Sequence, residues 1–257
     1  MEELTNDDFK KFIRYFKDKI YEDEYHQTHK CYDTVRELSR SDTKEADSLI
    51  RNSFQKMYGL DWMVKCSKKL NNKPPKSTDA LFINEDKNGN LKLHLIEFKF
   101  IGIRSHWDKM NNLWSDIRRK VHCEEFLEDY EKCFSDSFVN DFKTIKKDFH
   151  DPIEISLQLK PYETVFITLP ELYDEYCMEE GLPRKDIKNY LANIDKYYWA
   201  FVGSYSQSEY NIKYKTNRYN NYNKRLEMTI FKKARAKPWQ RFEKTLKKEI
   251  LEQEVIY

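Results

Sequence analysis

The chain has 257 residues, with 46 Lys or Arg against 44 Asp or Glu and a formal net charge of +2. Its 39% hydrophobic residues can build a substantial core, which excludes a chain that is disordered throughout. The 5 glycines lie too far apart for a dinucleotide-binding loop, a phosphate-binding loop or a G-x-S-x-G nucleophile elbow.

The cysteines and the hydrophobic pattern predict a cytoplasmic protein. The chain has 5 cysteines and no C-x-x-C motif, and an odd number leaves at least one of them unpaired, which fits a reducing compartment. The amino terminus is acidic, and no apolar run approaches the roughly 20 residues of a membrane span. We therefore expect no membrane partner.

The first half of the chain is predicted to begin with helices. Residues 1–40 form a charged helical extension, in which Phe9, Phe12 and Ile13 begin an apolar stripe. A second helix is expected over 42–58, ended by Gly59. A short strand at 62–67 and a basic loop at 68–76 follow.

The clearest predicted unit is a β-hairpin, with one strand at 78–84, an Asn88-Gly89 turn and a second strand at 91–101. Downstream we expect one helical region, a strand, two helices and a final strand, namely 107–150, 163–169, 171–179, 184–195 and 197–203. This order predicts an α/β protein with a mixed central sheet flanked by helices, a core at 41–205 and a basic carboxyl-terminal segment at 206–257 packed on it.

The hairpin carries three charged residues whose placement depends on the turn. Glu97 and Lys99 are two positions apart and share one face of their strand, while Phe98 faces the other way. A two-residue loop places Asp79 opposite Phe98. A three-residue loop with Gly89 in the left-handed conformation places Asp79 opposite Glu97 instead, and the glycine permits it.

Two carboxylates facing each other across a ladder repel, and the sheet partly desolvates them, so a cation is expected between Asp79 and Glu97. Ligands that are all oxygen atoms favour Mg²⁺ or Mn²⁺. The alternative is that Glu97 and Lys99 lie on a solvated strand face and that Asp79 merely begins its strand.

The segments Ser77-Thr-Asp79 and Ile96-Glu-Phe-Lys99, on a hairpin after a helix, resemble the PD-(D/E)XK nuclease superfamily. The resemblance covers about 42–169, although Thr78 replaces the usual proline. It implies a restriction-endonuclease-like core in which Asp79, Glu97 and the main-chain carbonyl of Phe98 hold the metal and Lys99 assists the attacking water. It also allows Glu45 as a further metal ligand, with stabilisation of the helix dipole as the alternative role of that side chain.

The carboxyl-terminal segment predicts a polyanionic partner. Residues 211–248 contain thirteen Lys or Arg and two Glu, interleaved with aromatic residues. The residues expected to contact nucleic acid are Lys232, Lys233, Arg235, Lys237, Lys73 and Lys76. The alternative is a helix beginning near Pro238 that packs on the core and exposes a solvated basic face.

Together these patterns predict a Mg²⁺-dependent endonuclease that hydrolyses DNA phosphodiester bonds by in-line attack of water. RNA cleavage is a variant within the same class. The alternative outside enzymes is a non-catalytic nucleic-acid-binding or structural protein with a degenerate nuclease core. A homodimer is left open, and sequence specificity is not predicted.

Overall fold

The computed structural model describes residues 2–23, 26–40, 48–72, 74–100, 159–203 and 209–251. The chain divides into two compact units, one formed by 1–100 together with 157–257 and the other by 101–156. All described residues belong to the first unit. The predicted helical region at 107–150 and the residues Glu45 and Lys73 lie outside the described residues.

The first unit is a mixed α/β structure. Its strands are β1 (Ile20–Glu22), β2 (Thr28–Lys30), β3 (Tyr32–Thr34), β4 (Lys56–Gly59), β5 (Ala80–Glu85), β6 (Leu91–Phe100), β7 (Asp195–Gly203) and β8 (Lys233–Pro238). Its α-helices are α1 (Asn6–Tyr15), α2 (Val35–Leu38), α3 (Leu60–Cys66), α4 (Leu169–Glu179), α5 (Ile187–Asn193), α6 (Glu209–Glu227) and α7 (Phe242–Thr245). A π-helical turn, Thr164–Thr168, leads directly into α4, and another, Leu246–Ile250, follows α7.

Six strands form one sheet in the order β3-β4-β5-β6-β7-β8, and β1 and β2 form a separate antiparallel pair. The strands from β3 to β6 pair antiparallel, whereas β7 is parallel to both β6 and β8. Strand β6 therefore lies inside the sheet, and its residues from Leu91 to Phe98 are all buried. The predicted mixed sheet flanked by helices is confirmed.

The β5–β6 hairpin has the register that the three-residue loop predicts. Ala80 pairs with Ile96, and extending this register by one residue sets Asp79 opposite Glu97. Gly89 has φ 79°, the left-handed conformation that glycine adopts without a steric penalty. The hairpin, strand β7 and helices α4 and α5 are all confirmed near their predicted positions.

The amino-terminal extension at 1–40 is helical only in part, since strands β1, β2 and β3 lie between α1 and α2. Three further predicted elements are wrong. Residues 48–55 are not helical and 56–59 form strand β4, because pairing with β3 and β5 outweighs local helical periodicity. The predicted strand at 62–67 is helix α3, which buries Leu60, Met63 and Val64 at helical spacing.

The predicted strand at 163–169 is also helical. The apolar residues between Thr164 and Thr168 suggest a strand, yet the segment forms a π-helical turn. Pro170 follows at the start of α4 and lacks the N–H that a regular helical hydrogen bond requires, so an irregular turn before it is physically reasonable.

The carboxyl-terminal segment forms two elements that the sequence did not predict, α6 and β8. Both β3 and β8, which lie outside the predicted 41–205 core, are strands of the central sheet. The alternative prediction for residues after Pro238 agrees with the packing, since Phe242, Leu246 and Ile250 are buried on Ile96, Phe98, Trp199 and Phe201.

Within the described residues, no helix is both long enough and apolar enough to cross a membrane.

Candidate active site

The ends of β5 and β6 hold a buried group of charged side chains. Glu97 is 1% exposed, and Asp79, one residue before β5, is half-buried. A carboxylate oxygen of Asp79 accepts a hydrogen bond from the main-chain N–H of Phe98. The hairpin thus brings together the two carboxylates that the sequence predicted, on the face of the sheet opposite the core around Phe98.

A lysine that the sequence did not predict lies between them. The Nζ atom of Lys160 is 2.8 Å and 3.1 Å from the two carboxylate oxygens of Glu97 and 3.4 Å from Asp79 Oδ1. An ammonium group of the chain itself therefore lies between the two carboxylates in this structure.

The position of Lys160 is fixed by hydrogen bonds between its helical segment and the loop before β5. The Thr164 hydroxyl donates to the main-chain oxygen of Lys160 (2.8 Å) and accepts from the main-chain N–H of Thr78 (3.0 Å). The Glu163 carboxylate accepts from the main-chain N–H of Lys76 (2.7 Å). Two adjacent points of attachment hold the lysine beside Asp79.

Asp61, in the first turn of α3, is a third carboxylate close to this group. Its Oδ1 accepts a hydrogen bond from the Ser77 hydroxyl (2.5 Å). Its side chain reaches solvent, yet surrounding protein desolvates it and the Asp79 carboxylate repels it, so its pKa is raised to about 6. The main-chain N–H of Leu60 donates to the Asp79 carbonyl oxygen (3.1 Å), which links α3 to the site.

Burial and neighbouring charges together set the pKa values of the charged side chains in this site. Burial and the Asp79 carboxylate raise the pKa of Glu97 to about 8, although the Lys160 ammonium opposes that shift. Burial lowers the pKa of Lys160, but Asp79 and Glu97 outweigh it and raise that pKa overall. Asp79 and Glu97 thus share the Lys160 ammonium group, while the charges of Asp61 and Lys99 act on this group from beyond ion-pair distance.

Lys99 lies where the sequence placed it. It follows Glu97 by two residues and therefore points to the same face of β6. It is close enough to favour the ionised form of Glu97, and it forms no ion pair with any residue that the structure describes.

The donor set suits a hard divalent cation in part. The N–H and C=O of a strand residue point to the same side, so the Phe98 carbonyl faces the Asp79 side, just beyond the last ladder pair, Ala80 with Ile96. Two carboxylates and one main-chain oxygen are ligands that Mg²⁺ accepts. Among the described residues, however, no three His, Cys, Asp or Glu side chains have the geometry to hold a metal together.

The basic residues of β8 do not face this site. Lys237 is in register with Phe201, which is in register with Phe98, so all three point away from the Glu97 face. By the same alternation, Lys233 and Arg235 also lie on the face opposite Glu97.

Each of the four basic residues near β8 that were predicted to bind nucleic acid already pairs with a carboxylate. Lys232 pairs with Asp195, Lys233 and Lys237 pair with Glu249, and Arg235 pairs with Glu227. The Nζ atoms of Lys233 and Lys237 also lie 5.3 Å and 5.0 Å from the ring centre of Trp199. Because Lys233 and Lys237 share Glu249, these contacts balance part of the charge of the four residues within the protein.

Lys76 has a different setting from the β8 residues. It is exposed and directly precedes Ser77, the hydrogen-bond partner of Asp61. Of the basic residues predicted to contact nucleic acid, Lys76 is the described one that lies next to the carboxylates.

Comparisons with protein-family models, with curated proteins and with solved structures found no match to this chain. The resemblance to the PD-(D/E)XK nucleases therefore rests on the sequence of the hairpin.

Proposed function

We propose that the chain is a divalent-cation-dependent nuclease that cleaves DNA, with Asp79, Glu97 and the Phe98 carbonyl as ligands of Mg²⁺ or Mn²⁺. The observation that carries this proposal is the excess of carboxylates at the hairpin, where Asp79 and Glu97 both contact the one ammonium group of Lys160 and Asp61 lies nearby. A divalent cation compensates such an excess better than one lysine does.

The residues of the site have separable roles in this proposal. A bound cation would activate a water molecule and stabilise the leaving 3′ oxygen. Half-buried Asp79, directly before β5, and buried Glu97, in β6, fix the ligand positions on a paired hairpin, which is a rigid support. Lys99, on the same face, offers a positive charge to the phosphate as negative charge develops on it.

The location of Lys160 between the two carboxylates favours a second candidate function. A lysine that donates hydrogen bonds to both Glu97 oxygens and contacts Asp79 can permanently replace a metal. The chain would then be a non-catalytic nucleic-acid-binding or structural protein built on a degenerate nuclease core.

A cleavage assay separates the two candidates. We expect the purified chain to cut DNA in millimolar Mg²⁺ or Mn²⁺, to leave 5′-phosphate ends and to become inactive in excess EDTA, because the carboxylates alone cannot activate water. Single-stranded and double-stranded DNA and RNA are tested in parallel to define the substrate. The Asp79→Asn variant, purified identically, controls for contaminating nucleases. Absence of cleavage with every substrate and cation would contradict the enzymatic proposal.

Binding of nucleic acid is expected to depend on Lys76 more than on Lys237. Exposed Lys76 lies beside the site, whereas Lys237 faces the opposite side and pairs with Glu249. If Lys76 neutralises one phosphate, Lys76→Ala should reduce the slope of log affinity against log salt by about 0.7–0.9. The matched Lys237→Ala variant should leave the slope nearly unchanged. The measurement is oligonucleotide binding in EDTA at several salt concentrations, and a larger effect for Lys237→Ala would contradict this placement.

A further inference from the structure

Two cysteines that are distant in sequence lie in contact beside β3, the edge strand of the sheet. The Sγ atoms of Cys31 and Cys66 are 3.4 Å apart, and both are free thiols. A disulfide has an S–S bond of about 2.0 Å, so the two sulfur atoms would have to approach by about 1.4 Å to bond. The sequence offered no sign of this pair, because 34 residues separate the cysteines.

The main chain holds both cysteines in place. Cys31 donates its N–H to the Lys19 carbonyl oxygen (3.0 Å), and its own carbonyl oxygen accepts from the N–H of Gly59 (2.8 Å). Cys66 is the last residue of α3. Two residues later, the main-chain N–H of Lys68 donates to the Glu175 carboxylate (2.8 Å). The thiols therefore face each other because of the fold and not through a chance contact of loose loops.

The two thiols differ in access and in acidity. Cys31 is fully buried, whereas Cys66 is partly exposed. The hydrogen bond from Cys31 lowers the pKa of Cys66 although burial opposes it, and the nearby Lys19 ammonium lowers it further. The hydrogen bond to Cys66 and burial raise the pKa of Cys31. Cys66 is thus the more reactive nucleophile, since the thiolate is the reacting form.

We propose that Cys31 and Cys66 are a redox-sensitive pair that forms a reversible disulfide, with hydrogen peroxide as the oxidant. The Cys66 thiolate attacks one peroxide oxygen, the O–O bond breaks, and Cys66 becomes a sulfenic acid with release of hydroxide, which takes up a proton to form water. The Cys31 sulfur then attacks the Cys66 sulfur. The S–S bond forms, the S–O bond breaks, and the departing hydroxide leaves as water with the proton of Cys31.

The disulfide would join the end of α3 to the residue before β3. The first turn of α3 carries Asp61, and Leu60 is hydrogen-bonded to Asp79, so the crosslink would restrain a helix that contacts the candidate active site. Formation of the disulfide needs no nuclease activity, and the two properties can be tested separately.

The test is thiol mapping on the full chain. The reduced, folded protein is treated with a small excess of hydrogen peroxide, free thiols are alkylated, and the unreduced digest is analysed by mass spectrometry. We expect one peptide pair linked through Cys31 and Cys66, a loss of two thiols per chain, and full reversal by dithiothreitol. The melting temperature of the oxidised protein should rise by several degrees, because a crosslink restricts the unfolded chain.

Single variants identify the order of events. Cys31→Ser should stop at a Cys66 sulfenic acid that dimedone traps, whereas Cys66→Ser should leave Cys31 reduced. Cys177→Ser is the matched control, since Cys177 is a buried thiol elsewhere, in α4, and its replacement should not change the linkage. The proposal is overturned if the folded wild type keeps Cys31 and Cys66 separately alkylatable while other cysteines oxidise. It is also overturned if the pair links equally fast in the urea-unfolded chain. Thiol mapping of the wild type tests the proposed disulfide even if one of the variants fails to fold.

Discussion

Replacement of Glu97 with glutamine is expected to abolish cation-dependent cleavage while the fold is retained. Glutamine keeps the size of the side chain and removes the charge that binds the cation. Loss of one of two carboxylate ligands from a buried site should reduce the cleavage rate by about three orders of magnitude or more, equivalent to about 4 kcal/mol.

The expected stability of this variant follows from the charges around Glu97. Breaking a buried ion pair usually destabilises a protein because one charge is left without a partner. Here Lys160 keeps Asp79 as a partner at 3.4 Å, and the raised pKa of Glu97 shows that the site already favours a neutral group at this position. We therefore expect the free energy of unfolding, measured in EDTA, to change by only about 1–2 kcal/mol.

The control for Glu97→Gln is the same change at Glu85, at the far end of the same hairpin. Glu85 is exposed and pairs with Lys10, outside the candidate site. The Glu85→Gln variant should cleave like the wild type. If Glu97→Gln cleaves at the wild-type rate, Glu97 is not a ligand of the cation and this face of β6 has a structural role.

The hairpin could be predicted from sequence because its determinants are local. Period-2 alternation assigned Glu97 and Lys99 to one face, and Gly89 allowed the loop that sets Asp79 opposite Glu97. Once strand register is fixed by a turn, the placement of side chains follows without knowledge of the rest of the fold.

Lys160 could not be predicted because its role depends on a segment whose conformation was misassigned. The apolar run after Thr164 favours a strand, and in a strand Lys160 would not lie one turn away from Thr164. Only the helical form lets the Thr164 hydroxyl bridge Lys160 and Thr78. Asp61 was missed for the same reason, since α3 was predicted as a strand that began after it.

The residues predicted to bind nucleic acid show a different limit of prediction from sequence. Composition revealed the density of positive charge after residue 211. A local count of charges cannot show which carboxylates form ion pairs with these basic residues. Asp195, Glu227 and Glu249 lie 8 to 37 positions away from the basic residues that they pair with. Long-range pairing of this kind becomes visible only in the folded chain.

Replacement of Lys160 with methionine is expected to destabilise the protein in EDTA and to make its stability strongly dependent on a divalent cation. Methionine keeps the unbranched shape of the side chain but leaves Asp79 and Glu97 facing each other without their ammonium partner. Removing one partner from a buried charge group costs about 3–5 kcal/mol. A cation that binds the folded chain alone restores stability in proportion to its concentration and affinity.

The measurement is chemical unfolding of the wild type and of Lys160→Met, each in EDTA and in millimolar Mn²⁺. If the ammonium and the metal compete for the same carboxylates, Mn²⁺ should stabilise the variant by more than it stabilises the wild type. Lys10→Met is the matched control, because Lys10 pairs with the exposed Glu85, and such surface pairs contribute about 1 kcal/mol or less. Mn²⁺ should stabilise Lys10→Met by no more than it stabilises the wild type.

The outcome for Lys160→Met also decides between the two candidate functions. Stabilisation by Mn²⁺ of the wild type as well as of the variant shows that the cation can displace the lysine from the two carboxylates, as a nuclease requires. A variant that is destabilised and gains nothing from Mn²⁺ or Mg²⁺ shows that the lysine is the permanent counter-ion of Asp79 and Glu97. In that case the hairpin keeps the charged residues of a nuclease for structural reasons, since a buried carboxylate pair needs a cation whether or not the protein is an enzyme.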